Sequence, residues 1–365
     1  MKIGILGCGN ISGIYLQNLT QLFKNTEVVA VSDLEEWKAK SAAENYGIPC
    51  VMSFEEMLAS DEIDTILNIT TPAGHYPLTK KALEAGKNVY VEKPLSLNYE
   101  QGKELVELAK AKGVRLGCAP DTFLGAGIHT AIAEMKKGAI GRPIGGVASM
   151  MCHGHESWHP SPEFYYDFGG GPLFDMGPYY ITALVRLLGR AESVFAYGTK
   201  AFEERMITSE PKNGQMMPVN VNTHDVGLIK FANGALITVM MSFDVWTHSI
   251  PCIEIYGTDG SLCVPNPNDF WGEVRSYTPA EGWKDIPLVN GYTDNSRGIG
   301  LSEMALAETE GRPHNASGEL GLHVLEIMDA FERSAKEGRM IILESDPGEG
   351  IELDWSAENG NLKTL

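Results

Sequence analysis

The sequence predicts an α/β protein, with a doubly wound parallel sheet in the amino-terminal part and an α+β part with an antiparallel sheet after it. Three observations lead to this prediction. Strands and helices alternate regularly over about the first 120 residues, a glycine-rich turn follows the first strand, and strands joined by tight turns follow from about residue 193. A chain of 365 residues exceeds the usual size of one core, so we expect two domains, 1–120 and 121–365.

The composition argues against several classes of function. A formal net charge of −19, without a dense Lys/Arg block, makes nucleic acid an unexpected partner. No apolar run approaches the roughly 20 residues of a membrane helix, so no membrane partner is expected. The six cysteines lack paired spacing, and the chain opens directly into a strand, which together predict reduced thiols and a cytoplasmic location.

The first strand and the turn after it predict a dinucleotide site. Lys2 to Leu6 is a short apolar run, and GCGNISG follows it before apolar residues recur at helical spacing. Glycines in such a turn let the backbone approach a pyrophosphate, although Ser12 occupies the third glycine position of the usual pattern. The candidate cofactor contacts in this turn are Gly7, Gly9, Asn10 and Ile11.

The second strand, residues 27–32, ends at Asp33, about 20 residues beyond the glycine turn. An acid at this place can accept hydrogen bonds from both ribose hydroxyls, and it repels a 2′-phosphate. No arginine follows it closely. The sequence therefore favours NAD over NADP as the cofactor.

Helices near 35–46, 54–59 and 76–85 and strands at 50–51, 65–69 and 88–91 continue the alternation. The carboxyl ends of parallel strands share one edge of the sheet, and ligands bind there. Two segments at that edge supply the remaining cofactor candidates, which are Thr70, Thr71, Pro72, His75, Glu92 and Lys93.

A set of motifs, in order along the chain, carries a resemblance to a known family. The motifs are GCGNIS, TTPAGH, ALEAGKNVYVEKPLS, KKGAIGRPIGG, GGGPLFDMG and GRPHNASGELG. With them the chain resembles the Gfo/Idh/MocA oxidoreductases from about residue 1 to about residue 343. The resemblance implies a Rossmann domain that binds NAD(P), a second domain with an open, mostly antiparallel sheet, and sugars, inositols or related polyols as substrates.

The resemblance also implies roles for particular residues. It places Lys93 beside the nicotinamide and the substrate, with a cis bond to Pro94 as an expectation. It places Asp175 across the substrate from Lys93. Relatives in this family carry a histidine four residues after that aspartate, but here the position is Tyr179.

The identity of the proton acceptor is therefore open at the level of sequence. A free phenol has a pKa near 10, so Tyr179 needs Lys93 nearby to act as a base. His153 or His155 is the alternative, because a strand over 145–153 places both on one face. Further substrate candidates are Trp158, His159 and Tyr180, and aromatic stacking on a sugar extends to Phe164, Tyr165 and Tyr166. A metal site built from these histidines and Glu156 is a weaker alternative, because hydride transfer to NAD needs no metal, and none is expected.

The setting of Asp175 also follows from the pattern. Pro178 fits the first turn of a helix that ends at Gly189, which places Asp175 just before the helix as a cap or as a catalytic acid. The glycines 169–171 would let the loop approach substrate and cofactor closely.

The carboxyl-terminal part predicts an antiparallel sheet with strands at 194–197, 226–231, 235–242, 253–256 and 261–264. Helices can cover only one face of such a sheet, so we expect a homodimer or homotetramer through the other. Residues 203–222 are expected to form a mobile loop or lid. A helix over 320–336 is expected to bring His314 and Asn315 toward the substrate.

These features predict an NAD(P)-dependent oxidoreductase that transfers a hydride between the nicotinamide and a secondary hydroxyl of a sugar, glycoside or polyol. Two alternatives remain. One is a glycoside-cleaving enzyme that oxidises C3 transiently, and the other is a non-catalytic sensor of dinucleotide or sugar.

Overall fold

A computed structural model describes residues 1–353, and these form two compact units. The first unit contains Met1–Ala126, Val289–Leu325 and residues 346–353, and the second contains Gly127–Leu288 and Glu326–Ser345. The predicted division at residue 120 lies near the end of the first segment. Residues 289–325, assigned by the prediction to the second domain, pack within the first unit instead.

The first unit contains a six-stranded parallel sheet in the order β3-β2-β1-β4-β5-β6. Its strands are β1 (Lys2–Leu6), β2 (Glu27–Ser32), β3 (Cys50–Val51), β4 (Thr65–Asn68), β5 (Asn88–Val91) and β6 (Leu116–Cys118). Its helices are α1 (Ser12–Gln17), α2 (Glu36–Tyr46), α3 (Phe54–Ala59), α4 (Pro72–Glu84), α5 (Tyr99–Lys112) and α8 (Ile299–Glu310), with a π-helical turn at Asn18–Leu22 and a 3₁₀ turn at Thr122–Leu124. This strand order is that of the Rossmann fold, and it reverses direction between β1 and β4.

The parallel strands are apolar because helices cover both faces of the sheet. Ile3, Ile5, Ile66 and Val89 have no exposed surface. Helix α4 begins at Pro72, four residues before the predicted start. Proline is well suited to that position, because its fixed φ matches the helix and the first helical N–H has no intrahelical partner.

The second unit contains a nine-stranded sheet in the order β16-β15-β14-β13-β7-β12-β11-β8-β17, in which only β7 and β12 are parallel among the described pairs. Its strands are β7 (Pro143–Met151), β8 (Ala191–Thr199), β11 (His224–Phe231), β12 (Leu236–Ser242), β13 (Ile253–Gly257), β14 (Ser261–Val264), β15 (Val274–Thr278), β16 (Gly282–Ile286) and β17 (Ile341–Ile342). Helix α6 (Ala126–Lys136) leads into this unit, α7 (Gly171–Leu188) belongs to it, and α9 (Gly318–Glu337) runs from the first unit into it. The expected parallel and mostly antiparallel sheets are both confirmed.

Helix α7 packs on one face of this sheet, against β7, β11 and β12. Burial alternates along β11 accordingly, with Ile229 and Phe231 buried and Leu228 and Lys230 exposed. The outer face carries exposed apolar side chains, among them Tyr197, which is 63% exposed.

Residues 203–222 form a small hairpin of β9 (Glu204–Met206) and β10 (Met216–Pro218), so the prediction of a mobile lid is wrong. The hairpin contributes Ile207, Met217 and Val219 to an apolar cluster with Tyr166 and Phe243. This burial fixes a segment that looks polar in the sequence.

Candidate active site

The predicted cofactor residues of the first unit gather at the carboxyl edge of its parallel sheet. Gly7, Asp33, Thr70 and Glu92 each follow or end a strand, and β1 lies between β2 and β4 with β5 beyond. The Asp33 carboxylate accepts the N–H of Cys8 at 2.7 Å and that of Glu35 at 2.9 Å. These bonds fix the acid beside the glycine turn. Asn10, Ile11, Thr71 and Pro72 lie in the loops of the same edge.

The glycine turn fits a dinucleotide. Gly7 has φ +100°, and a Cβ there would lie 2.8 Å from the carbonyl oxygen of Ile69. A Cβ at Gly9 would meet no atom within 4 Å, so the backbone at Gly9 borders open space in which a pyrophosphate fits. Ser12, in the third glycine position, donates its hydroxyl to the Gly9 carbonyl at 2.7 Å and so needs no other partner.

Lys93 is half-buried at this edge, and the Lys93–Pro94 bond is cis, as expected. The buried Glu92 holds the start of this loop: one carboxylate oxygen accepts the Tyr15 hydroxyl at 2.8 Å, and the other accepts the Lys93 backbone N–H at 2.8 Å. Glu92 is thus engaged with the protein itself, and its carboxylate orients the backbone from which Lys93 projects.

His75 connects two loops of the edge. Its Nδ1 lies 2.6 Å from the Pro94 carbonyl oxygen, and its Nε2 lies 3.1 Å from that of Thr70. Burial lowers the pKa of His75, which favours the neutral ring, and a neutral ring donates to one of these two carbonyls. The structure thus gives His75 a role in joining these loops, while its direct contact with a cofactor remains a prediction.

In the second unit, Asp175 lies next to His155. The His155 Nε2 is 3.4 Å from an Asp175 carboxylate oxygen, and both side chains are largely buried. The sequence left the base open between Tyr179, His153 and His155, and of the two histidines it is His155 whose ring lies next to Asp175. Lys93 belongs to the first unit, so the three groups come from separate parts of the fold.

The position of Asp175 differs from the prediction. Helix α7 begins at Gly171, so Asp175 is its fifth residue rather than a cap, and Pro178 is inside the helix. The chain contains two Gly-Pro pairs, and the helix starts at the first because Leu173 and Phe174 are both buried there. Pro172, near the start, sacrifices no intrahelical hydrogen bond.

The glycines before α7 are explained by packing within the second unit. Gly169 and Gly171 have φ of +83° and +80°. A Cβ at Gly170 would lie 2.4 Å from the Phe164 carbonyl oxygen, and one at Gly171 would lie 2.9 Å from that of Asn222. Close approach of the protein to itself requires these glycines, and approach to a substrate stays a prediction.

Strand β7 ends at Met151, so the expected strand over 145–153 is too long and the two-residue period does not align His153 with His155. The His153 ring stacks on Trp246 with centroids 3.3 Å apart. His155 is 9% exposed, and its ring contacts Tyr165 and Phe243 at centroid distances of 4.1 and 4.6 Å. The two histidines therefore contact different aromatic partners.

A buried ion network holds this loop, and sequence reasoning missed it. Arg205, from the hairpin, pairs with Glu156 and Asp244 and also donates to the Phe243 carbonyl at 2.8 Å. The Tyr166 hydroxyl donates to Glu156, and burial raises the pKa of that phenol. Because Glu156 adjoins His155, the network fixes the backbone beside the candidate pair. A lone arginine in a polar segment gave no signal of this role.

Tyr179 and Tyr180 lie on α7 and are both buried. Burial raises the pKa of Tyr180 well above its usual value, and its hydroxyl bonds to Cys252. These are the surroundings of core tyrosines, so a catalytic Tyr179 and a substrate-binding Tyr180 remain predictions only.

Three further expectations can be placed. Trp158 is exposed and His159 half-buried, on the loop beside His155. Among residues 1–353, no group of three or more His, Cys, Asp or Glu side chains is arranged to hold a metal, and Glu156 is committed to Arg205. His314 contacts the Leu116 carbonyl at the amino end of β6, and the Asn315 side chain bonds to the backbone of Ile351, so both side chains are engaged with the protein itself and their contact with substrate stays a prediction.

Within the same described range, no helix is both long and apolar enough to cross a membrane. The six cysteines all fall in that range, and each is a free thiol.

The strand order of the first unit is that of a dinucleotide-binding domain, and comparison with known proteins gives the class as an oxidoreductase. Residues 1–119 match the model of an oxidoreductase family with an NAD-binding Rossmann fold, and residues 128–263 match the Gfo/Idh/MocA carboxyl-terminal domain. The chain belongs to the Gfo/Idh/MocA family. Its amino-terminal domain is accordingly an NAD-binding domain.

Two curated relatives illustrate the family. The myo-inositol 2-dehydrogenase of Thermotoga maritima is 24% identical over 94% of this chain and 99% of its own length. A dTDP-3,4-didehydro-2,6-dideoxy-α-D-glucose 3-reductase of Streptomyces violaceoruber is 30% identical over 52% of this chain, and the match spans only 55% of that reductase. Among solved structures, a levoglucosan dehydrogenase in complex with NADH and L-sorbose superposes with a TM-score of 0.80 at 20% identity, covering 94% of this chain and 99% of that one, which supports the fold.

Proposed function

We propose that the protein is an NAD-dependent dehydrogenase that oxidises a secondary hydroxyl of a sugar, glycoside or polyol, or reduces the corresponding ketone. The observation that carries this proposal is the His155–Asp175 pair, an acid–base couple on a chain whose other unit is an NAD-binding domain. The relatives that act on an inositol and on a deoxysugar nucleotide support the substrate class. Asp33 at the end of β2 supports NAD over NADP.

Oxidation of an alcohol separates a hydride from carbon and a proton from oxygen. NAD, when bound, accepts the hydride. The proton passes to the His155–Asp175 pair, where it is held between Nε2 and the carboxylate, and the negative carboxylate stabilises the imidazolium that results. The Lys93 ammonium, on the loop that Glu92 orients, stabilises the negative charge that develops on the hydroxyl oxygen. A ketone and one proton are the products beside the reduced cofactor.

The test has two parts. Calorimetric titration with NAD and NADP measures cofactor binding, and absorbance at 340 nm measures turnover on a panel of sugars, methyl glycosides and inositols. We expect tighter binding of NAD than of NADP, turnover of at least one compound, and a loss of that turnover in Lys93→Met that is larger than any loss of NAD affinity. Binding without turnover of any compound would favour the non-catalytic sensor. Release of an aglycone without net NADH would favour the glycoside-cleaving alternative.

We also propose that two copies associate through the outer face of the nine-stranded sheet, as a homodimer or as part of a homotetramer. Tyr197, Leu228 and Leu236 are exposed on adjacent strands of this face, and α7 covers only the other. Sedimentation velocity tests this: Leu228→Arg should shift the protein toward the 39.8 kDa monomer. A wild-type protein that sediments as a monomer at micromolar concentration contradicts it.

A further inference from the structure

Five aromatic rings, one of them that of His155, contact one another in a closed circuit. His155 contacts Trp158 at 5.2 Å and Tyr165 at 4.1 Å between ring centroids. Trp158 contacts His159 at 5.4 Å, His159 contacts Phe164 at 5.3 Å, and Phe164 contacts Tyr165 at 4.0 Å. We name these five residues the aromatic ring cluster. One member, His155, also contacts Asp175, so the cluster adjoins the proton-accepting pair.

The two halves of the cluster differ in exposure. His155 is buried and Tyr165 half-buried, whereas Trp158 is 61% and Phe164 is 56% exposed. More than half of the surface of each of these two residues is therefore open to solvent. Exposure of an aromatic ring to water is unfavourable, and burial of that ring under a ligand is favourable. Two exposed rings beside a candidate active site therefore indicate a surface that a ligand can cover.

The backbone that carries the cluster is fixed before any ligand arrives. The N–H groups of Thr208 and Ser209 both donate to the Glu156 carbonyl, at 2.9 and 3.0 Å. The Ser209 hydroxyl donates to the His159 carbonyl at 2.5 Å. The ion pairs of Arg205 with Glu156 and Asp244 also hold this backbone in place. A preorganised apolar surface binds a ligand group with little loss of conformational entropy.

Charge and size limit what binds here. Two nearby cations, Lys212 and Arg205, are already paired with carboxylates, so neither offers an uncompensated positive charge to a phosphate or carboxylate. Two aromatic side chains bury at most about 150–250 Å² each, far below the roughly 800 Å² per partner of a protein interface. The surface therefore fits one neutral, ring-sized group.

We propose that Trp158 and Phe164 form a second binding subsite, next to that of the reacting sugar, for the neutral aglycone or second sugar ring of a glycoside. This inference rests on the proposed function, because it takes the reacting hydroxyl to lie at the His155–Asp175 pair. The Trp158 ring contacts the His155 ring directly, at 5.2 Å between centroids, so groups attached to a sugar held at His155 lie next to Trp158. A substituent on the anomeric oxygen of the reacting sugar therefore reaches the exposed rings, and a free monosaccharide leaves them uncovered.

Calorimetric titration of the NADH-loaded protein tests this without turnover. The probes are matched phenyl and methyl glycosides of the gluco, galacto, manno and xylo series, both anomers of each. For at least one pair we expect the phenyl glycoside to bind roughly three- to tenfold more tightly than the methyl glycoside. Trp158→Ala and Phe164→Ala should remove this preference, and Trp158→Phe should retain most of it.

Trp283→Ala is the matched control, because Trp283 is an exposed tryptophan on β16, far along the sheet order from β7. It should leave the preference unchanged. Absence of a phenyl preference in every pair, or its persistence in Trp158→Ala/Phe164→Ala, overturns the subsite. Equal weakening of phenyl and methyl glycosides also overturns it, because Trp158 then holds the reacting sugar. A Trp158-dependent preference in a protein that oxidises no sugar leaves the subsite standing and removes the proposed function.

Discussion

The two units present their candidate groups in different ways. In the first unit, the groups stand at the ends of parallel strands, and backbone geometry positions them: Gly7 by its positive φ, Asp33 by amide hydrogen bonds, Lys93 by the loop that Glu92 and His75 hold. In the second unit, Asp175 lies on a helix and His155 on a loop, and buried ion pairs of Arg205 fix that loop.

This difference separates two kinds of substitution. The first unit should be sensitive to added atoms at its glycines, because its site is made of backbone. The second unit should be sensitive to loss of a charged side chain, because the loop that carries His155 is held by buried ion pairs, and removal of one partner leaves the other charge buried and unpaired. The following experiments test this contrast.

The largest effect is expected at the proton-accepting pair. Asp175→Asn and His155→Gln each remove one member of the pair, so turnover should fall by about 10²–10⁴-fold. NAD affinity, a property of the first unit, should stay within about twofold. Initial rates at 340 nm and NAD calorimetry give both quantities. A loss that is confined to His153→Gln, with His155→Gln fully active, would assign the base to the other histidine.

The next largest effect concerns stability. Arg205→Met leaves the carboxylates of Glu156 and Asp244 buried without their partner, which should lower the free energy of unfolding by about 3–5 kcal/mol. Arg333→Met is the control, because Arg333 is 45% exposed in its pairs with Asp329 and Glu337. It should cost at most about 1 kcal/mol. Urea unfolding of both variants measures the difference. Equal losses of unfolding free energy would show that the buried pairs of Arg205 stabilise the fold no more than the exposed pairs of Arg333.

The same contrast explains what could be predicted from sequence. The edge of the first unit was predictable because parallel strands of known order bring their ends together, so Gly7, Asp33 and Lys93 could be placed from local patterns alone. The second unit was predictable as a sheet, because hairpin turns and alternation are local. Its site was not, since the contact of His155 with Asp175 depends on where a loop folds onto a helix 20 residues away.

Two errors have the same origin. The polar segment 203–222 resembles a lid because its buried Arg205 looks like any surface arginine until its two carboxylate partners are located. Helix α7 contains two Gly-Pro pairs, and only the burial of Leu173 and Phe174 decides that the first pair starts it. Tertiary burial, which a local pattern does not encode, decided both.

A smaller effect, of roughly 2–3 kcal/mol, is expected from a change of pH. Burial raises the pKa of Asp225 to about 7, with a further increase from nearby Glu332. The folded protein then binds this proton more tightly than the unfolded chain, so the contribution of Asp225 to stability is fully present below its unfolded pKa of about 4 and is lost as pH rises through about 7. Asp225→Asn removes this loss. Its gain in free energy of unfolding over the wild type should therefore be larger at pH 8 than at pH 5, by about 1.4 kcal/mol for each pH unit between 5 and the pKa of about 7.

Asp121 in the first unit provides the comparison for this pH effect. Burial raises its pKa to about 6, but its carboxylate accepts the backbone N–H groups of Gly298 and Gly300 at 2.8 and 3.0 Å. Asparagine supplies a weaker acceptor for these donors, so Asp121→Asn should gain less than Asp225→Asn at pH 8. Urea unfolding at the two pH values measures both variants. A gain in stability of Asp225→Asn that does not change with pH would contradict a raised pKa for Asp225.

The smallest effect is expected at Gly9, and it tests whether the first unit holds its ligand through backbone alone. A Cβ at Gly9 meets no protein atom within 4 Å, so Gly9→Ala should leave the free energy of unfolding within about 0.5 kcal/mol. The added methyl occupies the space assigned to the pyrophosphate, so NAD affinity should fall by about tenfold. Gly7→Ala is the counterpart: its Cβ would lie 2.8 Å from the Ile69 carbonyl oxygen at φ +100°, so it should cost at least about 1 kcal/mol of stability. If Gly9→Ala binds NAD like the wild type, the cofactor does not cross this turn, and the fit of the first unit depends on Asp33 alone.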